Sequence, residues 1–373
     1  MPDRRLVLSC AAVILVVLAC GPGASIGSED PAVIATRVAA TLEAMRGDTP
    51  VPPSPLPPPA ATPLPARLWK SYVSGGPGGW WLQDGSATEV VLPVEPGQYY
   101  DYSVANGKIL YASHFASTGA GPGNLAVSDL WMVDYPSGTP EALIASDTIV
   151  EALWTPDGAG LVYIHAAPTT YELRYRSLAG EDRLLASDVA PTWSVSPSGS
   201  LVAFTRETGY DVPGEPGVFV VSTAGGPETR VSDADRHGTG GIEDRPEWSF
   251  DELHLAVSNW GFAPGELVIA ASDGSSTGPL LADESLSSDP VYSSAPVGVI
   301  WHPDGRHLVG FANFAESLGG PSPLVLYELD DTLHTITGAA LLGQGYSLIG
   351  WNVPGESIFI LDENNQVVVV SLP

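Results

Sequence analysis

This 373-residue sequence is short of cysteine and of basic residues, and each shortage excludes something. Its two cysteines, Cys10 and Cys20, both lie near the N-terminus. The remainder of the chain therefore has no disulfide framework and no cysteine-based zinc motif. Lys and Arg number 15 against 43 Asp and Glu, a formal net charge of −28. An excess of that sign repels phosphate, so nucleic acid and anionic membrane surfaces are not expected as partners. It favours solubility and the binding of cations or basic proteins. Helix-forming sequence is also scarce: from about Arg67 onward, short runs of Trp, Tyr, Val and Leu are punctuated by Gly, Ser and Asp, with no helical stretch.

The N-terminal apolar run, Leu6 to Leu18, comes after Arg4 and Arg5 and is too short to span a bilayer. It ends Val17-Leu18-Ala19-Cys20-Gly21, which resembles a bacterial lipobox. Residues 1–19 are thus expected to be a lipoprotein signal peptide, with Cys20 the lipidation site and the membrane a partner through that lipid. An ordinary secretory signal cleaved near Ala19 is the alternative. Residues 20–49 read as a tether with a short helix over 29–46. Ser28 stands at the N-cap, Pro31 in the first turn, and Val33, Ile34, Val38, Leu42 and Met45 at helical spacing. Between Pro50 and Pro65 there are nine prolines in sixteen residues. Residues 50–66 are therefore a polyproline II stalk, roughly 50 Å long at about 3.1 Å per residue.

The rest of the chain is organised by a repeat. Trp154-Thr155-Pro156-Asp157-Gly158 precedes the apolar run Leu161 to Ile164, and Trp301-His302-Pro303-Asp304-Gly305 precedes Leu308 to Phe311. Looser copies are centred on Gly107, Gly199, Glu252 and Gly355, with Trp248 and Trp351 heading two of them. The turn positions 107, 158, 199, 252, 305 and 355 are spaced by 51, 41, 53, 53 and 50 residues. In each copy Pro sets φ at the first corner, Asp can bond back to the backbone, and Gly accepts the positive φ of the next position. The runs have no polar face and require burial on both sides. A fixed period of this length built from short strands indicates radially repeated sheets.

W-x-P-D-G ahead of an aliphatic strand resembles the repeat of TolB-type, WD40-like β-propellers, a repeat also found in prolyl oligopeptidase-like propeller domains. The resemblance covers residues 67–373. It implies an all-β propeller of four-stranded antiparallel blades, with the ring closed between N- and C-terminal strands. Further strands of an edge-like character are expected at Gly79–Gln83, Asp129–Asp134, Tyr171–Arg176, Val218–Ser222, Leu267–Ala271, Leu324–Leu329 and Gln366–Ser371. Seven blades fit the strand count, whereas about 306 residues at about 50 per blade fit six; the count favours seven. The Trp residues of the repeat belong to the core.

Alternate connections of such blades open on opposite faces. Those after the first and third strands are tight turns, and the others are long, so function is expected on the long-loop face. Trp260, Phe262, Tyr210, Phe115 and Phe314 lie in those loops and are either an aromatic rim for a partner or packing over blade tops. Asp233, Asp235 and His237, with Glu243 and Asp244, carry possible ligand atoms but match no calcium or zinc spacing. His302 and His307 flank a turn, and His114 and His165 end equivalent strands that approach the central channel. No metal site or cofactor is expected. No G-x-S-x-G occurs, since Gly345-Tyr346-Ser347-Leu348-Ile349 has Ile at the second Gly position. The expected function is a non-enzymatic, monomeric, membrane-anchored extracytoplasmic scaffold that binds an envelope or extracellular protein. The alternative is a sensor of small ligands or glycans, or a glycan-active enzyme, with its site in the channel.

Overall fold

The computed structural model describes residues 67–373 apart from 71–79, 84–87, 91–99, 104, 113–127, 136–137, 207–214, 234–244, 260–265, 284–285, 287–295, 313–321, 346 and 363–366. All of them belong to one compact unit, Ala60–Pro373. The signal peptide, Cys20, the helix at 29–46 and the Pro-rich stalk at 50–66 lie outside the described residues.

The described residues form strands and turns. The first sheet contains β1 (Arg67–Lys70), β2 (Trp80–Gln83) and β3 (Thr88–Val90). Next in the chain is a seven-stranded sheet: β4 (Tyr100–Ser103), β5 (Lys108–Ala112), β6 (Ser128–Asp134), β7 (Glu141–Trp154), β8 (Gly160–Ala166), β9 (Tyr171–Ser177) and β10 (Asp182–Ser187). Two four-stranded sheets come after it. One is β11 (Trp193–Val195), β12 (Leu201–Arg206), β13 (Gly217–Ser222) and β14 (Thr229–Ser232). The other is β15 (Glu247–Trp248), β16 (His254–Asn259), β17 (Glu266–Ala271) and β18 (Thr277–Pro279). The fifth sheet joins β19 (Leu281–Ala282) to β20 (Pro296–Trp301), β21 (His307–Ala312), β22 (Ser322–Leu329) and β23 (Thr335–Gly345). The last contains β24 (Ser347–Val353), β25 (Ser357–Leu361) and β26 (Val367–Ser371).

Within each sheet, sequence neighbours pair antiparallel, as four-stranded blades require. Two exceptions tie blades together. β7 is a single strand of 14 residues. Its first half pairs with β6 as the outer strand of one blade, and its second half pairs with β8 as the inner strand of the next. The segment EALIASDTIVEALW contains no Gly or Pro to interrupt it. β19 pairs in parallel with β23, so the end of one blade adds to the outer edge of its successor. The seven-stranded sheet thus holds the strands of two successive blades. The first sheet neighbours β4 through β1 and the last sheet through β2 and β24.

The sequence predicts edge-like strands, and the structure corrects this for Val218–Ser222. β13 pairs on both sides, with β12 and β14, and is buried along Gly217–Val221. Its run of Val and Phe offers no polar face to solvent, so only an interior position suits it.

The core lies between blades rather than within them. One cluster sets Val162, Ile164, Tyr171 and Leu173 against Val202, Phe204 and Phe219 of the next blade. A second sets Ala256, Leu267 and Ile269 against Trp301, Leu308, Val325 and Tyr327. Similar clusters fill three further gaps among the described residues. Each fully buried Val, Leu, Ile or Phe contributes about 1.5–3 kcal/mol relative to exposure, and here that stabilisation belongs to pairs of blades.

Candidate functional site

The repeat turns are built alike. Thr155, Ser196, Ser249 and His302 each close the loop twice. The backbone N–H donates to the carbonyl five residues on, and the carbonyl accepts from the turn residue three on. The turn positions Gly107, Gly158, Gly199, Glu252, Gly305 and Gly355 have φ of 59, 65, 78, 60, 69 and 78°. All six are left-handed, and Glu252 accepts that conformation without being Gly. The aspartate caps the turn, with Asp157 Oδ1 accepting from Ala159 N at 3.0 Å and Asp251 Oδ1 from Leu253 N at 3.0 Å. A hydroxyl supports the same oxygen, Thr155 Oγ1 at 2.6 Å and Ser249 Oγ at 2.6 Å. That hydroxyl two residues before the aspartate is a signal the sequence carries in Thr155-Pro156-Asp157 and Ser249-Phe250-Asp251.

From β4 onward, neighbouring blades are also fastened together by repeat residues. Indole N–H groups reach back: Trp248 to Ser194 O at 3.5 Å, Trp301 to Glu247 O at 3.1 Å and Trp351 to Trp301 O at 3.1 Å. The third copy has Val195 where Trp belongs. Trp193, on the same face of β11, fills the role by donating to Glu151 Oε2 at 2.9 Å. Turn residues reach forward: Asn106 Nδ2 donates to Gly158 O, Ser198 Oγ to Glu252 Oε2 at 3.0 Å, and His302 Nε2 faces Gly355 O at 3.4 Å.

Two clusters of charged groups stand out among the described residues. Glu151, on β7, pairs through Oε1 with Arg245, just ahead of β15, and that guanidinium also lies 5.9 Å from the Trp193 ring. Both Glu151 oxygens are thereby engaged, which makes the carboxylate a clasp across three blades rather than a free base or nucleophile. The second cluster is the turn His302-Pro303-Asp304-Gly305-Arg306-His307. His302 Nδ1 is 3.0 Å from Asp304 Oδ1, and His307 Nδ1 is 2.7 Å from Asp304 Oδ2. One ligand atom from each lies within 4.8 Å of the others. Burial favours the neutral forms of both His302 and Asp304, but their mutual pairing wins. The imidazole pKa is raised, and the carboxyl, which also accepts from Arg306 N and His307, is held well below the usual range.

No known family profile matches the sequence, and no curated protein matches it. Solved structures do. An oligogalacturonate lyase from Vibrio parahaemolyticus superposes with a TM-score of 0.51 at 14% identity, over 79% of this chain and 84% of that one. The chain is a β-propeller. TolB from Acinetobacter baumannii gives a TM-score of 0.43 at 15% identity, over 71% of this chain; the match spans 63% of the TolB chain. A putative TolB from Agrobacterium tumefaciens gives 0.44 at 15% identity, over 84% of this chain and 100% of that one.

Trp154, Trp248, Trp301 and Trp351 are buried, opposite Leu161, Leu255, Leu308 and Ile358 of the next strand. His165 lies on β8, a second strand, and faces Glu172 of β9 at 3.4 Å. It belongs to a cluster with Arg174, Asp182 and Tyr163, in which Arg174 bonds both Glu172 and Asp182. First strands of successive blades are neighbours where β15 meets β20 and β20 meets β24. His165 thus stands beside Glu172 across the pair of second and third strands, β8 and β9. His114, Asp235, His237, Glu243 and Asp244 lie outside the described residues, as do Trp260, Phe262, Tyr210, Phe115 and Phe314. The strand ends flanking those aromatics are nevertheless fixed. β5 to β6, β12 to β13, β16 to β17 and β21 to β22 are joined at the end of each blade opposite to the repeat turns. Sequence reasoning missed the Glu151–Arg245 clasp, because its partners are 94 positions apart. It saw the two histidines at 302 and 307 without the aspartate between them.

Proposed function

We propose that this chain is an exported β-propeller, held at a membrane through lipid on Cys20, that acts as a non-enzymatic scaffold binding an envelope or extracellular protein. The observation that carries this reading is the asymmetry of the two faces. On one, short turns spend their polar groups on bonds to the next blade, which makes a rigid rim. On the other, strand ends are joined by connections of six to fifteen residues, the ones containing Trp260, Phe262, Tyr210, Phe115 and Phe314. A rigid ring with variable connections on one face is the arrangement in which loops carry recognition. The location outside the cytoplasm rests on the signal-like N-terminus and the cysteine-free remainder of the chain.

The test is photo-crosslinking in cells with a reactive amino acid at position 260, compared with the same probe at exposed Ala159 on the turn face. A discrete protein adduct at 260 that is absent at 159 supports the scaffold. Adducts only at 159, or at neither position, overturn it.

A further inference from the structure

We propose that the turn from His302 to His307 is a zinc site, with Nδ1 of His302, the Asp304 carboxylate and Nδ1 of His307 as its protein ligands. This turn departs from the repeat. In the turns at Asp157 and Asp251, a hydroxyl carrying its own proton supports the capping carboxylate. In the turn at Asp304, two imidazole nitrogens replace it, one on each oxygen, at 3.0 and 2.7 Å.

The hydrogen of the His302 ring has a definite place. Nε2 faces the Gly355 carbonyl, which only accepts, so Nε2 holds the hydrogen. In the neutral ring Nδ1 is then a lone pair. It receives Asp304 N–H at 3.2 Å but also stands 3.0 Å from the Asp304 carboxylate. A lone pair and a carboxylate oxygen at that separation call for a cation between them, either a proton or a metal ion. The Nε2–H bond to a backbone carbonyl is also the outer contact that orients metal-binding histidines.

The dimensions fit. Donors bound to one zinc at about 2.0–2.1 Å stand about 3 Å apart, as His302 and His307 each stand from Asp304. The two imidazoles, already within 4.8 Å in their ligand atoms, need only converge. His307 would transfer its hydrogen from Nδ1 to Nε2. Two imidazoles and a carboxylate select zinc over magnesium or calcium, and three protein ligands leave a position for water. Arg306 is turned away from the site, bonded to Asp331 at 2.7 Å. The site lies on the turn face, and so is independent of the proposed partner-binding face.

The experiment is calorimetric titration of the full-length protein, without a polyhistidine tag, with zinc sulfate. It is run alongside His302→Gln, His307→Gln and His254→Gln, the last being the residue equivalent to His307 in the preceding blade. We expect one zinc per chain. Affinity falls by more than the roughly tenfold that even outer-contact substitutions cost in His302→Gln and His307→Gln, and is unchanged in His254→Gln. Zinc also raises the melting temperature of the parent protein and not of His307→Gln. His307 is partly exposed and outside the core, so this variant remains informative if His302→Gln fails to fold. No binding by the parent protein, or binding that survives His307→Gln, overturns the proposal.

Discussion

At the scale of single residues, the polar groups of this propeller are mostly committed to one another, and Tyr163 carries a measurable consequence. Its ring is buried and its hydroxyl donates to Asp182 Oδ2 at 2.5 Å. Burial, with the hydrogen bond and charge of Asp182, pushes its pKa well above the ordinary 10.0. A folded-state pKa above the unfolded one means the stabilisation is fully present below pH 10.0 and is lost as pH rises beyond it. Unfolding by denaturant across roughly pH 9 to 11 should therefore show the parent protein losing stability more steeply than Tyr163→Phe. At neutral pH the Phe variant should be less stable by about 1 kcal/mol, the worth of the lost hydrogen bond. Equal slopes for the two proteins would show that Tyr163 does not govern the alkaline limb. None of this was legible in the sequence. Tyr163 and Asp182 come from different strands, and only their register across β8, β9 and β10 brings them together.

At the scale of elements, the turns were the most legible part of the molecule, because their chemistry is local. Pro, Asp and Gly in a row specify the dihedrals without help from distant residues, and all six turn positions are left-handed. What surrounds each turn was not legible. Gly199 and Gly305 have similar φ, 78 and 69°. A Cβ at Gly199 would meet Pro156 Cδ at 3.0 Å and Thr155 Cβ at 3.3 Å in the preceding turn, whereas one at Gly305 would meet nothing nearer than Asp251 Oδ2 at 4.0 Å. Gly305→Ala should cost about 1–2 kcal/mol, the left-handed penalty alone, and Gly199→Ala more, because the neighbouring blade must also give way. Paired thermal melts check the order, and equal losses would mean that the contact between turns is soft. β7 is the contrary case, an element whose extent the sequence hid. Blade periodicity predicts a break wherever one fourth strand gives way to the next first strand. Here Asp147-Thr148 is too weak a punctuation to interrupt fourteen residues of strand.

For the molecule as a whole, the decisive fact is where the apolar surface is buried. Periodicity made the blades visible in the sequence, but it could not show that each core cluster is shared. Leu130 packs in the cluster with Ile149, Trp154 and Leu161, formed across the long strand β7. Ile358 packs in the cluster that joins the last sheet to Val309, Phe311 and Leu324. Neither blade keeps its buried face if its neighbour unfolds, and the Trp and turn bonds continue the same coupling at the rim. Local opening should therefore propagate, and the propeller should melt as one unit. Leu130→Ala and Ile358→Ala are each expected to cost about 2–5 kcal/mol and to shift one common calorimetric transition downward, although they sit in different clusters. The separation of the two sites also makes their losses additive. If the two substitutions instead move different transitions, the blades melt in groups, and the bonds between neighbouring turns do not couple them.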